Sequence, residues 1–317
     1  MPLACRLLAI ALLLLTGLGT TAPADDKPFL RPGERVLFLG DSNTNAGHYI
    51  VYLEAWLTKH HPTEHYELLN LGLPSETSSG LSEPAHPFPR PTVHERLDRA
   101  LDKVKPQVVI ACYGMNDGIY YPPSPERLDA YKKGMKIIAD KSRAIGARTC
   151  FLTPPPFEAD ALRPGGKLRP AGEKEYAWFA PYEKYDDALA EFSAAVLKMD
   201  KDVDMVVDIR TPLLDFLKRK QAADAKYHLA GDGIHFNTDG HEVIARTLWS
   251  AWHLQPADPG PLPTGERLNL HSQRQTLLHN AWLVHVGHKR PDMPKGEPLV
   301  TAQGKAAELL KKIDGTP

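Results

Sequence analysis

The sequence predicts an α/β protein, a three-layer sandwich in which helices cover both faces of a five-stranded parallel sheet. Short apolar runs alternate with segments of helical periodicity from residue 35 to about residue 253. The runs are apolar throughout, which is typical of strands buried on both faces. Repeated strand–helix–strand units imply a parallel sheet with helices on both sides. The twist of the strands makes the crossovers right-handed. We therefore expect functional residues at the carboxyl ends of the strands.

Five runs qualify as strands because they are short and rich in β-branched or other apolar residues. In chain order they are Val36–Leu39, Tyr66–Leu71, Val108–Cys112, Thr149–Thr153 and Met205–Val207. The prolines at 154–156 end the fourth run, because proline is not tolerated in a central strand.

Helices are predicted where apolar residues recur three or four positions apart. The first follows the first strand and carries Tyr49, Leu53, Trp56 and His60 on one face. Further helices are marked by Val93, Leu97, Leu101 and Val104, by Leu128, Tyr131, Met135 and Ile138, by residues 182–199, and by Val243, Ile244, Leu248 and Trp252.

The chain divides into three predicted segments. Residues 1–24 have the layout of a signal peptide, with Arg6, an apolar run at Leu7–Leu15 and small residues before a cleavage site. The run is too short to span a bilayer, which takes about 20 residues, although a short membrane anchor is an alternative. We expect export to the periplasm or the cell exterior. Residues 25–254 form the main domain, and residues 255–317 form an extension with helices near 269–286 and 300–313, packed on that domain.

Charge and cysteine content exclude several classes of protein. Removal of residues 1–24 takes away one positive charge and leaves a formal net charge of −2, so no basic surface is expected to recruit nucleic acid. No cluster of cysteine and histidine has the spacing of a zinc site, and we expect neither a metal nor a cofactor. Cys112 and Cys150 are expected as buried free thiols, with a disulfide as the alternative. The sequence does not determine the oligomeric state.

Ser42 directly follows the first strand and is the candidate nucleophile. A serine hydroxyl needs a base that accepts its proton and donors that stabilise the oxyanion of the attacked carbonyl. Asp232 stands three residues before His235, so a tight turn would let the carboxylate orient the imidazole toward Ser42. Gly72 and Asn116 follow the second and third strands, and both are candidate oxyanion donors.

Four short blocks resemble those of the SGNH hydrolases, the GDSL family of esterases and lipases. The blocks are Phe38-Leu39-Gly40-Asp41-Ser42-Asn43-Thr44, Asn70-Leu71-Gly72, Gly114-Met115-Asn116-Asp117 and Asp232-Gly233-Ile234-His235-Phe236. Their order and their places at strand ends also match across residues 35–253. The extension most resembles one found in planctomycete members of the family.

The resemblance implies a flavodoxin-like fold and a secreted serine esterase. It implies that Ser42 is the nucleophile, His235 the base and Asp232 the residue that orients the base. The amides of Ser42 and Gly72 and the side chain of Asn116 would form the oxyanion hole. Asn43 departs from the family, in which many members carry an aliphatic residue, and we expect it to alter the pocket wall.

Neighbouring polar residues are expected to be structural. Asp41 and Asp117 would hold turns through hydrogen bonds to nearby backbone N–H groups. His241, one turn into the last helix of the domain, is expected to be packed with its hydrogen bonds satisfied.

Two long loops, Pro74–Pro91 and Pro154–Pro181, are expected to form the rim of the site. The second loop carries Phe157, Trp178 and Phe179, and Tyr120 and Tyr121 follow the asparagine block. These aromatic residues either contact substrate or pack within the loops. In the extension, the group Trp282, His285, His288, Lys289 and Arg290 either binds an anionic part of the substrate or is a solvated helix end.

We expect a small-molecule or glycan ester as substrate, with short O-acetyl groups on carbohydrate favoured. A lysophospholipase or thioesterase with a groove for longer acyl chains is an alternative, although the loop at 74–91 is rich in serine, proline and glutamate. A dinuclear metallophosphoesterase would need histidine ligands that the glycine–aspartate blocks lack. A non-catalytic envelope binding module would be favoured by a missing catalytic residue, and none is missing.

Overall fold

Five parallel strands form one sheet in the computed structural model, which describes residues 27–315. The predicted signal peptide, residues 1–24, lies outside the described residues. The strands are β1 (Arg35–Gly40), β2 (Glu67–Asn70), β3 (Val108–Cys112), β4 (Arg148–Leu152) and β5 (Met205–Val207). The order β2-β1-β3-β4-β5 and the parallel pairing confirm the predicted α/β architecture. The order reverses between β1 and β3, so the carboxyl ends of these strands border a crevice in which ligands of such sheets bind.

Helices cover the sheet on both faces. The described helices are α1 (Ser42–Ala46), α2 (His48–His60), α3 (Leu97–Val104), α4 (Pro125–Ala144), α5 (Ala159–Leu162), α6 (Tyr185–Val196), α7 (Arg210–Ala223), α8 (Thr238–Ala251), α9 (Gly265–Val286) and α10 (Leu299–Gly315). Residues of α2, α7 and α8 share one apolar core, and residues of α3, α4 and α6 share the other. No helix within residues 27–315 is long and apolar enough to cross a membrane.

Alternate residues of each strand enter the two cores. In β1, Leu37 and Leu39 belong to the core of α3, α4 and α6, whereas Val36 and Phe38 belong to the opposite core. Both faces are therefore apolar, which explains why the strands appear as unbroken apolar runs. Cys112 and Cys150 lie in the core of α2, α7 and α8 as buried free thiols.

The edge strand β2 is covered by α9. The Gln275 side chain donates to the carbonyl of Leu68 (3.2 Å), and a ring nitrogen of His279 contacts the carbonyl of Asn70 (3.0 Å). Uncovered edge strands offer backbone groups to other chains. These side chains of α9 occupy such groups on β2.

A buried polar cluster joins α9 to α2. Glu54 of α2 is buried and accepts hydrogen bonds from Gln275 (3.1 Å) and from Arg274, and it contacts His271 (3.1 Å). Although burial opposes ionisation of Glu54, the attraction of Arg274 and the contact with His271 lower its pKa. The carboxylate thus stays charged and holds α9 on α2.

Three of the described helices were not anticipated from the sequence: α1 and α5, which have only five and four residues, and the longer α7. The helix α7 follows β5 after only two residues, and most of its side chains are partly or fully exposed. Leu213 is its one buried aliphatic residue within the part of the chain that the structure describes. Phe216 and Leu217 are partly buried and pack against the same core. The apolar positions at i, i+3 and i+4 therefore cover only about one turn, which is too short to mark a helix by periodicity.

His241 does not have the satisfied hydrogen bonds that were expected. Its ring is buried and stacks on Tyr49, with 6.0 Å between ring centres. Neither ring nitrogen has a hydrogen-bond partner among residues 27–315. Burial, with a smaller contribution from repulsion by His48, lowers the pKa of His241 from 6.5 to about 3. The expected packing role of His241 is thus confirmed, but the ring packs against aromatic side chains without hydrogen bonds.

We predict that His241→Phe makes folding less sensitive to acid. Below pH 6.5 the unfolded chain binds a proton at His241 that the folded chain does not bind until about pH 3, so wild-type stability falls over this range. The loss of unfolding free energy between pH 7 and pH 5 should be about 2 kcal/mol smaller in the variant. Urea unfolding at both pH values measures it.

The exposed histidine His65 provides the control. His65→Phe should leave the difference in unfolding free energy between pH 7 and pH 5 as it is in wild type. An equal pH dependence in wild type and His241→Phe would contradict the assignment.

Candidate active site

Ser42 lies at the junction of β1 and α1. Asp41 precedes it and accepts a hydrogen bond from the N–H of Asn43 (3.0 Å), which caps α1. A side chain at Gly40 would come within 2.2 Å of Thr44 Oγ1 and 2.8 Å of the carbonyl of Cys112, so only glycine permits this turn beside β3. The tight turn presents Ser42 at the carboxyl edge of the sheet.

Asp232, His235 and Ser42 form a continuous chain of hydrogen bonds. Asp232 Oδ2 contacts His235 Nδ1 at 2.7 Å, and His235 Nε2 contacts Ser42 Oγ at 2.8 Å. Asp232 Oδ1 also accepts from the N–H groups of Ile234 and His235 (3.0 and 2.8 Å), which closes the turn. The spacing of three residues thus has the geometric effect expected from the sequence.

The carboxylate and the imidazole shift each other's pKa. Burial opposes ionisation of Asp232, but hydrogen bonds from the His235 side chain and backbone lower its pKa below the ordinary value. The hydrogen bond to Asp232 raises the pKa of His235 above 6.5, against the effect of burial. This arrangement stabilises an imidazolium and leaves Nε2 of the neutral ring to accept a proton from Ser42.

Asn43 joins the nucleophile turn to the histidine turn. Its side chain is buried, donates from Nδ2 to the carbonyl of Ile234 (3.0 Å), and accepts at Oδ1 from the N–H of Phe236 (3.1 Å). The two bonds flank His235. The expected change in the pocket wall is therefore wrong, because the side chain is directed to the backbone of residues 234–236.

Gly72 is not available as an oxyanion donor in this structure. Its N–H donates to Asn70 Oδ1 (2.8 Å), and a side chain would come within 2.3 Å of the backbone nitrogen of Asn45. The absence of a side chain thus permits close packing of the residues after β2 against the end of α1. The N–H of Gly72 is therefore not free to stabilise an oxyanion, in contrast to the role expected from the sequence.

Ser75 reaches the cleft in place of Gly72. It lines the same cleft as Ser42, and its φ of +66° is the left-handed conformation that favours glycine. No acceptor for its N–H is found among residues 27–315. The sequence did not indicate Ser75, because a strained serine carries no local pattern.

Asn116 lies in the cleft as expected. Its Oδ1 accepts from the hydroxyl of Tyr120 (3.0 Å), and its Nδ2 donates to the carbonyl of Glu76 (3.2 Å). A carboxamide nitrogen has two N–H donors, so one remains for a ligand. The neighbouring Asp117 is buried and accepts from Ser78 and Ser79, which confirms its structural role at the start of the long loop.

The cleft around Ser42 has a volume of about 250 Å³. The aromatic residues Phe88, Tyr120 and Trp178 line it together with the polar residues described above. Phe88 comes from the loop at 74–91 and Trp178 from the loop at 154–181, so both loops contribute to its walls. Phe157 and Tyr182, in contrast, are buried in the core.

The residues grouped at positions 282–290 of the extension do not form one cluster in the structure. Trp282 is buried in the core and Lys289 is exposed, whereas Arg290 lines the cleft. Sequence proximity suggested one cluster, but the backbone after α9 directs adjacent residues to different surroundings. No group of three or more potential metal-ligating side chains occurs within residues 27–315.

Comparison with known proteins places this arrangement in context. The model of the GDSL-like lipase/acylhydrolase family matches residues 38–243, more than half of the chain. Among curated proteins, none matches the sequence.

Solved structures with the same fold include the acetylxylan esterase Axe2 from Geobacillus stearothermophilus (17% identity, TM-score 0.51, 71% of this chain and 98% of that chain covered). A second is LAE5, an alpha/beta hydrolase enzyme from the metagenome of Lake Arreo, Spain (20% identity, TM-score 0.51, 70% of this chain and 96% of that chain covered). A third is a gut microbial diltiazem-metabolizing enzyme (20% identity, TM-score 0.55, 71% of this chain and 48% of that chain covered). The present chain thus spans about half the length of that enzyme. At these identities the likeness concerns the fold.

We predict that Asp232→Asn lowers the pKa of His235. The protonated ring loses its hydrogen bond to a carboxylate, so it should release its proton at lower pH than in wild type. NMR titration of the imidazole resonances measures this shift without reference to activity. Asp187→Asn, which neutralises an exposed carboxylate on α6, is the control; an unchanged titration of His235 in Asp232→Asn would rule out the coupling.

Proposed function

Because the chain belongs to the GDSL-like lipase/acylhydrolase family, the SGNH hydrolases, and is therefore a carboxylic ester hydrolase, we propose that it acts through an acyl-enzyme on Ser42. The observation that carries this proposal is the chain of hydrogen bonds from Asp232 through His235 to Ser42 Oγ, at 2.7 and 2.8 Å. It joins residues 193 positions apart in the sequence. We further propose that residues 1–24 direct export and that residues 25–254 form the catalytic domain.

In the first half of the proposed reaction, Ser42 Oγ attacks the ester carbonyl carbon while its proton passes to His235 Nε2. Asp232 stabilises the resulting imidazolium. The tetrahedral intermediate collapses when His235 returns the proton to the departing alcohol oxygen, and the acyl group remains on Ser42. A water molecule then attacks the acyl carbon and transfers a proton to His235 Nε2. The second tetrahedral intermediate collapses when His235 returns this proton to Ser42 Oγ, which releases the carboxylic acid and restores Ser42.

The proposed oxyanion hole consists of three donors from three segments. They are the N–H groups of Ser42 and Ser75 and the Nδ2 group of Asn116. Support comes from their common position on the cleft and from the hydrogen bonds that fix the Asn116 carboxamide. Preorganised donors stabilise the developing charge without reorganisation during the reaction. Ser75 takes the role that the sequence predicted for Gly72.

We propose short acyl groups, such as O-acetyl groups on carbohydrate, as the substrates. The cleft of about 250 Å³ is smaller than the ~300–1,000 Å³ of pockets that enclose drug-sized ligands. The aromatic side chains of Phe88 and Trp178 offer flat apolar surfaces of the kind that bind sugar rings. The similar fold of an enzyme described as an acetylxylan esterase supports this choice over longer acyl chains.

We predict that Ser42→Ala abolishes ester hydrolysis while the protein stays folded. Wild type should release nitrophenol from the acetate ester faster than from the butyrate ester, and palmitate should be the slowest. Ser250→Ala, on the exposed side of α8, controls for loss of a serine. Undiminished turnover by Ser42→Ala would overturn the proposed nucleophile, and fastest turnover of palmitate would overturn the preference for short acyl groups.

We predict that Asn116→Ala lowers kcat by about 10²- to 10³-fold with little change in KM, because the donor acts mainly on the transition state. Steady-state kinetics with nitrophenyl acetate measure both constants. Tyr120→Phe removes only the hydroxyl that fixes Asn116 Oδ1, so its loss should be smaller. Equal kcat values for Asn116→Ala and wild type would exclude Asn116 from the oxyanion hole.

A further inference from the structure

Arg290 brings a positive charge from the C-terminal extension into the cleft. It follows α9 and lines the cleft together with Ser42 and His235. The family match ends at residue 243, so this charge comes from outside the matched region. A role for Arg290 in substrate binding rests on the proposed function, because the cleft that it lines is the proposed esterase site.

The guanidinium is held in place by uncharged groups. Its Nε donates to the carbonyl of Pro74 (2.9 Å), and Nη1 donates to the carbonyl of Pro291 (2.8 Å). The group also stacks over the ring of Phe88, 5.3 Å from the ring centre. Pro74 and Phe88 both line the cleft. Arg290 is therefore fixed against the cleft wall, in contrast to a mobile surface arginine.

No carboxylate forms an ion pair with Arg290 within the part of the chain that the structure describes. Asp292 attracts it from two residues along the chain, but at a separation beyond the 4.0 Å of an ion pair. The guanidinium has five N–H donors in a planar fork. The Nη2 donors make no hydrogen bond to residues 27–315.

The other cationic groups of the cleft are already balanced. Arg90 makes two hydrogen bonds to Glu83 (2.5 and 2.6 Å), and both side chains are buried. His235 is paired with Asp232. Burial lowers the pKa of His86, with a contribution from Arg90, so this ring is neutral at pH 7. Arg290 thus supplies positive charge in the cleft without a compensating partner.

A partly buried guanidinium that lacks a partner selects for an anionic ligand. Arginine binds carboxylates through two parallel hydrogen bonds, and such bonds are stronger than those between neutral groups. A neutral acetyl ester would leave the charge unmatched. We infer that Arg290 binds a carboxylate carried by the substrate, and that the esterase acts on acidic esters, such as acetylated sugars that bear a carboxylate.

The carboxylate can belong to the alcohol half or to the acyl half of the ester, and four aryl esters separate these cases. para-Acetoxybenzoate carries the charge on the alcohol half, and its methyl ester is the neutral partner. para-Nitrophenyl hemisuccinate carries it on the acyl half, with para-nitrophenyl butyrate as the neutral partner. The kcat/KM of the full chain is measured for each.

Arg290→Gln should lower kcat/KM by about 10- to 100-fold for one of the anionic esters, which is the range for a lost hydrogen bond to a charged group. Its effect on the neutral partner should be far smaller. Arg290→Lys keeps the charge without the planar fork, so its kcat/KM for that anionic ester should lie between the values of wild type and Arg290→Gln. Lys289→Gln removes an adjacent exposed charge outside the cleft and should leave all four values unchanged.

Equal losses of kcat/KM on charged and neutral esters would overturn the inference. Arg290 would then act only by supporting the loop that contains Pro74. Unchanged kinetics would overturn the inference as well. If Arg290→Gln does not fold, the wild type alone provides the test. Its preference in kcat/KM for the anionic ester over the neutral partner should decrease as salt is added, because salt screens the interaction between charges. A wild type that hydrolyses none of the four esters would instead refute the proposed function.

Discussion

The proposed catalytic arrangement depends on one buried carboxamide. Asn43 follows the nucleophile, and its side chain binds the backbone on both sides of His235. A carboxamide has fixed geometry, so the two hydrogen bonds together determine where the histidine turn lies relative to Ser42. An aliphatic residue would fill the same space but leave a buried N–H and a buried carbonyl unpaired, at a cost of about 1–3 kcal/mol each. The 2.8 Å contact between His235 and Ser42 therefore has its basis in a neighbouring residue.

Buried titratable groups with opposite effects lie near this arrangement. Burial raises the pKa of Asp41 from 3.8 to about 7, partly offset by the N–H of Asn43. Its contribution to stability is present at low pH and is lost as pH rises through about 7. His241 has the reverse effect, because its pKa is lowered to about 3 and its contribution is lost as pH falls below 6.5. The two effects overlap between about pH 4 and 6.5, where they offset each other.

Much of this molecule is predictable from local sequence patterns. The five strands were predicted to within two residues, because strands buried on both faces must be apolar throughout. The Asp232–His235 spacing also predicted a contact that the turn produces. The proposed replacement of Gly72 by Ser75 in the oxyanion hole and the two hydrogen bonds of Asn43 were not predictable. They depend on where separate segments meet after packing, and neither a strained φ nor a long-range hydrogen bond leaves a periodic signal.

The extension shows how the edge of a sheet can determine the chemistry of a cleft. Gln275 and His279 of α9 occupy carbonyl groups of β2, and Glu54 fixes α9 on α2. His279 also contacts the Asn45 side chain at the end of the nucleophile turn (3.0 Å). With α9 held at these points, the residues that follow it must return toward the cleft, where Arg290 reaches Pro74 and Phe88. The charge proposed to select acidic esters is thus positioned by contacts that also protect the open edge of the sheet, so loss of α9 would affect stability and specificity together.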